Sequence, residues 1–176
     1  FQRVHRFAAP LAVLAAEAAL RGAGMAPDRA AMLRRLRDFR SLPHRLQFVG
    51  THRGMRCFND SKSTTPDATL LAIASFPDAR RVHLIVGGYD KQVDLAAIRD
   101  LAPRLAGLYA IGATAPLLAA QPPAVDCRTL DAAVTEAANQ ARPGDVLLLS
   151  PACASWDQFT NYEHRGETFA ALVRNL

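Results

Sequence analysis

Val82-His83-Leu84-Ile85-Val86 runs straight into Gly87-Gly88-Tyr89-Asp90-Lys91. A short apolar run closed by two glycines and a charged turn reads as a buried strand that ends in an exposed loop. The same transition occurs twice more. Met55-Arg56-Cys57-Phe58 leads into Asn59-Asp60-Ser61-Lys62-Ser63-Thr64-Thr65-Pro66, and Val146-Leu147-Leu148-Leu149 leads into Ser150-Pro151-Ala152-Cys153-Ala154-Ser155. Helical patterns separate these runs, and alternating strands and helices imply crossover units around a mostly parallel sheet with helices on both faces. In such a sheet the loops at the carboxyl ends of the strands meet at one rim, where ligands bind. Hydroxyls, Lys62, Lys91 and Asp60 are therefore expected to converge on one small anionic ligand.

Working outward, Leu46–Thr51 pairs with Met55–Asn59 across His52-Arg53-Gly54 as a hairpin, which adds one antiparallel edge strand. Thr65 or Asp67 starts a helix through Leu70, Leu71 and Ile73. A helix is expected from about Leu95 to Leu105, a strand at Leu108–Ile111 and a short helix at Ala115–Ala120. A strand at Cys127–Leu130 and a helix over Asp131–Ala141 follow. Pro143-Gly144-Asp145 turns into the last strand, Val146–Leu149, and Glu163–Leu176 forms the last helix. Before all of this, Leu11–Leu20 is Ala/Leu-rich and helical. Asp28 is placed to cap a second helix, through Met32, Leu33 and Leu36 to Phe39. Ser41-Leu42-Pro43-His44-Arg45 breaks the helical pattern, so the chain divides into a helical segment, 1–41, and an α/β domain, 42–176.

Half of the 176 residues are apolar and 21% are charged, as in an ordinary globular protein with a real core. The formal charge is +5. Residues 1–45 carry nine Lys and Arg against three Asp and Glu, whereas 46–176 carry twelve against thirteen. The basicity thus belongs to the first helices, where a solvated helix face explains it without a nucleic-acid partner. Cys57, Cys127 and Cys153 lack the paired spacing of a disulfide framework or a zinc site. They read as reduced thiols of a cytoplasmic protein. No apolar stretch approaches the roughly 18 residues that span a bilayer, so no membrane partner is expected. The chain opens on Phe1 without an initiator Met and is expected to be a piece of a larger protein.

Each polar stretch has a bland reading beside the chemical one. A single helix cap accounts for one of the polar side chains between Asn59 and Pro66, not six. A helix start flanked by hydroxyls and Lys62 suits an anion. Gly87-Gly88 alone signals a tight turn or close backbone approach, and Lys91 beside Asp90 could be an exposed pair. Ser150–Ser155 lacks the glycines of a nucleophile elbow, so Cys153 is read as structural and the two serines as donors to a carboxylate. Trp156 and Phe159 are expected to pack, and Asn161 to cap the last helix. His44 has no second ligand at metal spacing. Arg45 is either a surface residue or a phosphate clamp.

Taken together, Leu42-Pro43-His44-Arg45, Asn59-Asp60-Ser61-Lys62-Ser63-Thr64, Gly87-Gly88-Tyr89-Asp90-Lys91 and Ser150-Pro151-Ala152-Cys153-Ala154-Ser155, with Asp157-Gln158-Phe159 and Arg165-Gly166, resemble the Mur ligase family. The match is to its branch that adds D-glutamate to UDP-N-acetylmuramoyl-L-alanine in peptidoglycan precursor synthesis. The resemblance covers 42–176 in order. It implies a Rossmann-like C-terminal domain, with residues 1–41 as the tail of a central ATPase domain. The family uses ATP and Mg2+, activates the UDP-N-acetylmuramoyl-L-alanine carboxylate as an acyl phosphate, and lets the glutamate amine displace phosphate.

By the same resemblance Thr64 and Lys91 hold the glutamate α-carboxylate, and Ser155 and the backbone near Tyr162 hold its side-chain carboxylate. Arg45 and Asp60 contact ATP, and Lys62 and Lys91 are the catalytic lysines. Metal ligands are expected mainly in the central domain, and the full-length protein is expected to be a monomer. Where the family's first helix carries nucleotide-binding asparagines, this chain has Arg6 and Ala9. Two rival readings keep the same rim: ligase chemistry on L-glutamate, and a non-catalytic module that binds a nucleotide or a dicarboxylate.

Overall fold

A computed structural model describes residues 8–38 and 42–176. The chain divides into two compact units, Phe1–Ser41 and Leu42–Leu176. In the first, helices α1 (Ala8–Gly22) and α2 (Arg29–Asp38) pair through an Arg29 Nε–Glu17 Oε1 ion pair of 3.3 Å. Asp28 Oδ1 accepts the Ala31 N–H at 2.9 Å, the capping role read from the sequence. The expected helix end at Phe39, and the positions Arg6 and Ser41, lie outside the described residues.

The second unit is an α/β domain. Its strands are β1 (Gln47–His52), β2 (Met55–Asn59), β3 (Val82–Gly87), β4 (Gly107–Ile111), β5 (Val125–Arg128) and β6 (Val146–Leu149). They form one sheet in the order β1-β2-β6-β3-β4-β5. β1 runs antiparallel to β2, and all other neighbours are parallel. The two-residue loop Arg53-Gly54, with φ of 45° and 85°, makes the hairpin turn that the strand twist favours. The antiparallel edge strand and the mostly parallel sheet both match the sequence reading.

Every residue of β3, β4 and β6 is buried, as central strands covered on both faces must be. Alternation divides them. Cys57, Ile85, Tyr109, Ile111, Leu147 and Leu149 point to one face, where α6 (Leu130–Gln140) and α7 (Tyr162–Arg174) contribute Ala133, Val134, Ala137, Phe169 and Val173. Phe58, Leu84, Val86, Leu108 and Leu148 point the other way. The remaining helices α3 (Pro66–Ala74), α4 (Ala96–Arg99) and α5 (Ala115–Leu118) cover that side with Ile73, Ile98 and Leu118.

The expected helix over Leu95–Leu105 is a correction. It breaks into α4 and a separate 3-10 turn at Ala102–Arg104, because Pro103 has no N–H to continue an α-helix. Among the described residues no helix is long and apolar enough to cross a membrane.

Strand polarity positions the site. β2, β6, β3 and β4 all end at the same rim, and their loops follow in that spatial order. The β3 loop is locked to its neighbours by backbone bonds. Gly87 N–H donates to Pro151 O at 2.7 Å, and Tyr89 N–H donates to Ala154 O at 2.9 Å. Gly88 has φ +145°, and a Cβ there would run into the Ala154 carbonyl oxygen. The double glycine is thus a close-approach device between loops.

Candidate functional site

The rim loop after β2 alternates in direction. Asn59, Asp60, Ser61 and Ser63 turn inward and are buried, while Lys62 and Thr64 reach toward solvent. Asn59 Oδ1 accepts Ser61 N–H at 3.1 Å and its amide donates to Gly166 O at 3.1 Å. That amide also lies 3.0 Å from His44 Nδ1. Since the amide nitrogen can only donate, His44 accepts there and carries its proton on Nε2. His44 is therefore a fastener between the Pro43-His44-Arg45 turn and α7, and its ring packs edge-on to Tyr162 at 5.8 Å.

Asp60 is only 4% exposed. Its Oδ1 accepts the Leu46 N–H at 3.0 Å and its Oδ2 accepts the Ser150 hydroxyl at 2.8 Å. Burial pushes its carboxyl above the ordinary value, against the pull of Ser63, Ser150, the Leu46 N–H and the Arg45 charge. The carboxylate that Ser150 binds is thus the protein's own.

Five side chains or their neighbours line one cavity of about 220 Å³: Lys62, Thr64, Lys91, Ser155 and Tyr162, with Trp156 and Glu163 completing the wall. Cavities for drug-sized ligands run from roughly 300 to 1,000 Å³, so this one suits something smaller. Lys62 Nζ sits 3.8 Å from the centroid of the Tyr162 ring, and Lys91 Nζ sits 5.3 Å from that of Trp156. Both ammonium groups are steered over aromatic faces. Glu163 is the acidic group of this wall; a hydrogen bond from Tyr162 holds its carboxyl below the usual range, with Lys62 adding to the effect. Two cations, a buried hydroxyl at Ser155 and a loop backbone make a receptor for a small carboxylate.

Arg45 and Asp60 are not in this wall. Arg45 stands exposed on the turn before β1, one residue from the Leu46 N–H that Asp60 accepts. Asn161 caps α7 as expected, accepting the His164 N–H at 2.7 Å. Trp156 is a correction: it is 65% exposed and stands beside Tyr89 on the rim, ring centroids 5.7 Å apart, rather than packing inward. Phe159 does pack against the core. Burial raises the Cys153 thiol above its ordinary value, against the hydrogen bond with Thr114 and the Arg165 charge. Among the described residues no three His, Cys, Asp or Glu side chains gather as metal ligands.

One group figures in the sequence reading only within Arg165-Gly166, with no role given to it there. Arg165, on the first turn of α7, is fully buried. Its guanidinium donates to Ser61 Oγ, Ser61 O, Cys153 O and Ala154 O at 2.9 to 3.2 Å. Ser61 Oγ in turn donates to Tyr162 O at 2.8 Å. The only available signal was a lone arginine followed by glycine at a helix start, which looks the same when it faces water.

A larger basin of about 610 Å³ lies at the opposite, amino-terminal rim, lined by Arg80, Arg81, Arg142, His83 and Asp145. Its charges are largely consumed internally, Arg81 Nε on Asp145 Oδ1 at 3.2 Å and on the far side His83 Nε2 on Asp145 Oδ2 at 3.3 Å. The smaller cavity is the one that brings Lys62 and Lys91 together.

Comparison with known proteins completes the picture. Residues 44–153 match the family described as Mur ligase, glutamate ligase domain. A UDP-N-acetylmuramoylalanine–D-glutamate ligase of Solibacter usitatus is 47% identical over 169 residues, covering 93% of this chain and 37% of that protein. Ligases of the same name from Acidobacterium capsulatum and Koribacter versatilis are 45% and 42% identical, covering 92% and 93% of this chain and 35% and 36% of theirs. The chain spans about a third of the length of the curated relatives it matches.

Proposed function

The chain belongs to the Mur ligase family, and from that membership we propose that it is the amino-acid-accepting C-terminal portion of an ATP-dependent ligase. The complete enzyme joins D-glutamate to UDP-N-acetylmuramoyl-L-alanine in the cytoplasm, for peptidoglycan synthesis. One observation carries the reading: Lys62, Thr64, Lys91, Ser155 and Tyr162 come from separate stretches of sequence and line a single small cavity. The relatives' names supply the identity of the acid that such a cavity takes.

In this reading Thr64 and Lys91 hold the glutamate α-carboxylate, while Ser155 and the backbone at Tyr162 hold the distal one. The amino group is then aimed at the carbonyl of an acyl phosphate, formed when ATP transfers its terminal phosphoryl group to the substrate carboxylate with release of ADP. Nitrogen attacks carbon, a tetrahedral oxyanion forms, phosphate departs, and the amide remains once the amine has lost its proton. Lys62 stands by the phosphate and offsets negative charge as it develops. Holding the amine in place makes a bimolecular step nearly unimolecular. Arg45 serves ATP from the exposed turn. Asp60, being buried, acts on the nucleotide side by fixing the backbone at Leu46 next to Arg45. The cations of the rim fit a nucleotide phosphate, and no step is assigned to the metal that accompanies ATP.

The test is Lys91→Ala in the full-length enzyme with D-glutamate titrated at saturating ATP and sugar nucleotide. The glutamate KM is expected to rise at least tenfold, since a charge-assisted hydrogen bond of roughly 1.5–3 kcal/mol is lost. Unchanged KM and turnover would remove Lys91 from the site. Parallel titration with L-glutamate decides the chirality of the acceptor.

A further inference from the structure

Among the described residues Arg165 is the most deeply buried charge, and the chemistry described so far does not use it. It is fully buried, yet its four recorded acceptors are neutral: one hydroxyl and three carbonyl oxygens. A buried guanidinium is costly unless its geometry is fully satisfied. Burial pulls its pKa down to about 10, which leaves it charged at neutral pH.

What those acceptors have in common is their place in the chain. Ser61 immediately precedes Lys62, and Cys153 and Ala154 immediately precede Ser155. Nε and Nη2 take the hydroxyl and carbonyl of Ser61, both at 2.9 Å, as a two-pronged grip on the β2 loop. Nη1 takes the carbonyls of Cys153 and Ala154, at 3.1 and 3.2 Å, on the β6 loop. One planar group thus sets the spacing between the two loops. The third loop is held by the same oxygen, since Ala154 O also accepts the Tyr89 N–H two residues before Lys91. On the helix itself, Tyr162 is one turn earlier than Arg165, receives the Ser61 hydroxyl on its carbonyl, and lays its ring under Lys62.

We propose that Arg165 is a positioning residue: its buried guanidinium holds the Ser61–Thr64 and Cys153–Ser155 loops at the spacing in which Lys62, Thr64, Lys91 and Ser155 grip one dicarboxylic amino acid. This rests on the reading of the cavity as the glutamate site. Lysine cannot substitute, because a single ammonium lacks the fork that reaches four acceptors on two loops.

The test uses the full-length enzyme with Arg165→Ala, Arg165→Lys and Ser61→Ala, measuring KM for D-glutamate and for the sugar nucleotide separately, together with thermal stability. Arg165→Ala is expected to raise the glutamate KM at least tenfold while the sugar-nucleotide KM stays within twofold, and 20 mM guanidinium, but not 20 mM sodium, to recover part of the loss. Arg165→Lys is expected to behave like the alanine variant. Ser61→Ala, which removes one prong without emptying a large volume, is expected to raise the glutamate KM by about threefold and keeps the test alive if the arginine variants do not fold. Loss of turnover that only tracks the folded fraction, with glutamate KM unchanged, would reduce Arg165 to a packing role and overturn the proposal. An unchanged glutamate KM in Ser61→Ala would do the same. Lys91→Ala separates the two ideas: if it raises the glutamate KM and Arg165→Ala does not, the site stands and the clamp fails. If Lys91→Ala too leaves KM unchanged, the site reading falls and the clamp falls with it.

Discussion

Tyr162 and Lys62 illustrate how much of a site is decided by a single side chain's neighbour. A lysine on a rim loop ordinarily sweeps a wide volume, and ordering it costs up to about 2 kcal/mol of rotamer entropy. Here the ring 3.8 Å below its ammonium narrows that freedom. The ring makes the contact with Lys62, while the hydroxyl's bond goes to Glu163, so Tyr162→Phe in the full-length enzyme should leave kcat/KM within about threefold. Tyr162→Ala should lower it roughly 3- to 30-fold, the span of cation–π energies from partly exposed to desolvated. Equal losses in both variants would mean that the hydroxyl, not the face, is what the enzyme uses. At this scale sequence reading reached part of the way. It expected Lys62, Thr64, Lys91 and Ser155 at one rim, and they line one cavity; lysines and hydroxyls in loops after apolar runs stand out. It could not tell which polar residues of the same loop turn inward, since Asp60 and Lys62 look equally soluble in a string of letters. Only the partners decide: Leu46 N–H and Ser150 Oγ draw Asp60 into the core.

Elements were more legible than side chains, for the simple reason that strand burial and helix periodicity are written locally. β3, β4 and β6 were visible as short apolar runs, and the edge hairpin as two runs around a glycine turn. The helix over Leu95–Leu105 failed where Pro103 outweighed the apolar spacing. Between elements, one polar bridge crosses the sheet's buried face. His83 on β3 joins Tyr109 on β4, Nδ1 to hydroxyl at 2.9 Å, and Asp145 ahead of β6, Nε2 to Oδ2 at 3.3 Å. Burial holds the imidazole below its ordinary value despite Asp145. Burial would raise Asp145 itself, but the Arg142 N–H, Arg81 and His83 more than offset it and keep its carboxyl low. A histidine with a lowered folded pKa contributes stability that is complete above its unfolded value, about 6.5, and that is lost as pH falls through the folded value. The Asp145 contribution persists until the acid side of the ordinary carboxylate range, a separate window. Asp60, raised by burial, works in the opposite direction. Unfolding of this domain at pH 7.5 and pH 5 should therefore show a fall in stability that shrinks in His83→Gln, by up to about 1.4 kcal/mol per pH unit below 6.5. An unchanged pH slope in the variant would mean that His83 keeps its ordinary pKa in the fold.

For the molecule as a whole, the relevant quantity is the share of the enzyme present. The chain spans about a third of its relatives' length and has no G-x-x-x-x-G-K-[ST] loop within its 176 residues, so on the proposed reading it holds the amine-bearing glutamate and none of the ATP-cradling glycine loop. Assayed alone with ATP, D-glutamate and sugar nucleotide, it is expected to release no phosphate and form no amide above background. Glutamate-dependent ADP production by the purified chain would contradict that. The order of the four motifs made the family readable from sequence: each is short, but their sequence and spacing together are hard to meet by chance.

The Ala154 carbonyl, shared by the Arg165 guanidinium and the Tyr89 amide, has a consequence for anyone redesigning the enzyme. Because three loops hang on one oxygen atom, their substitutions will be strongly epistatic. Libraries that randomise one loop at a time will score nearly every change as harmful, and a new acceptor amino acid will be reached only by sampling all three together with Arg165 kept.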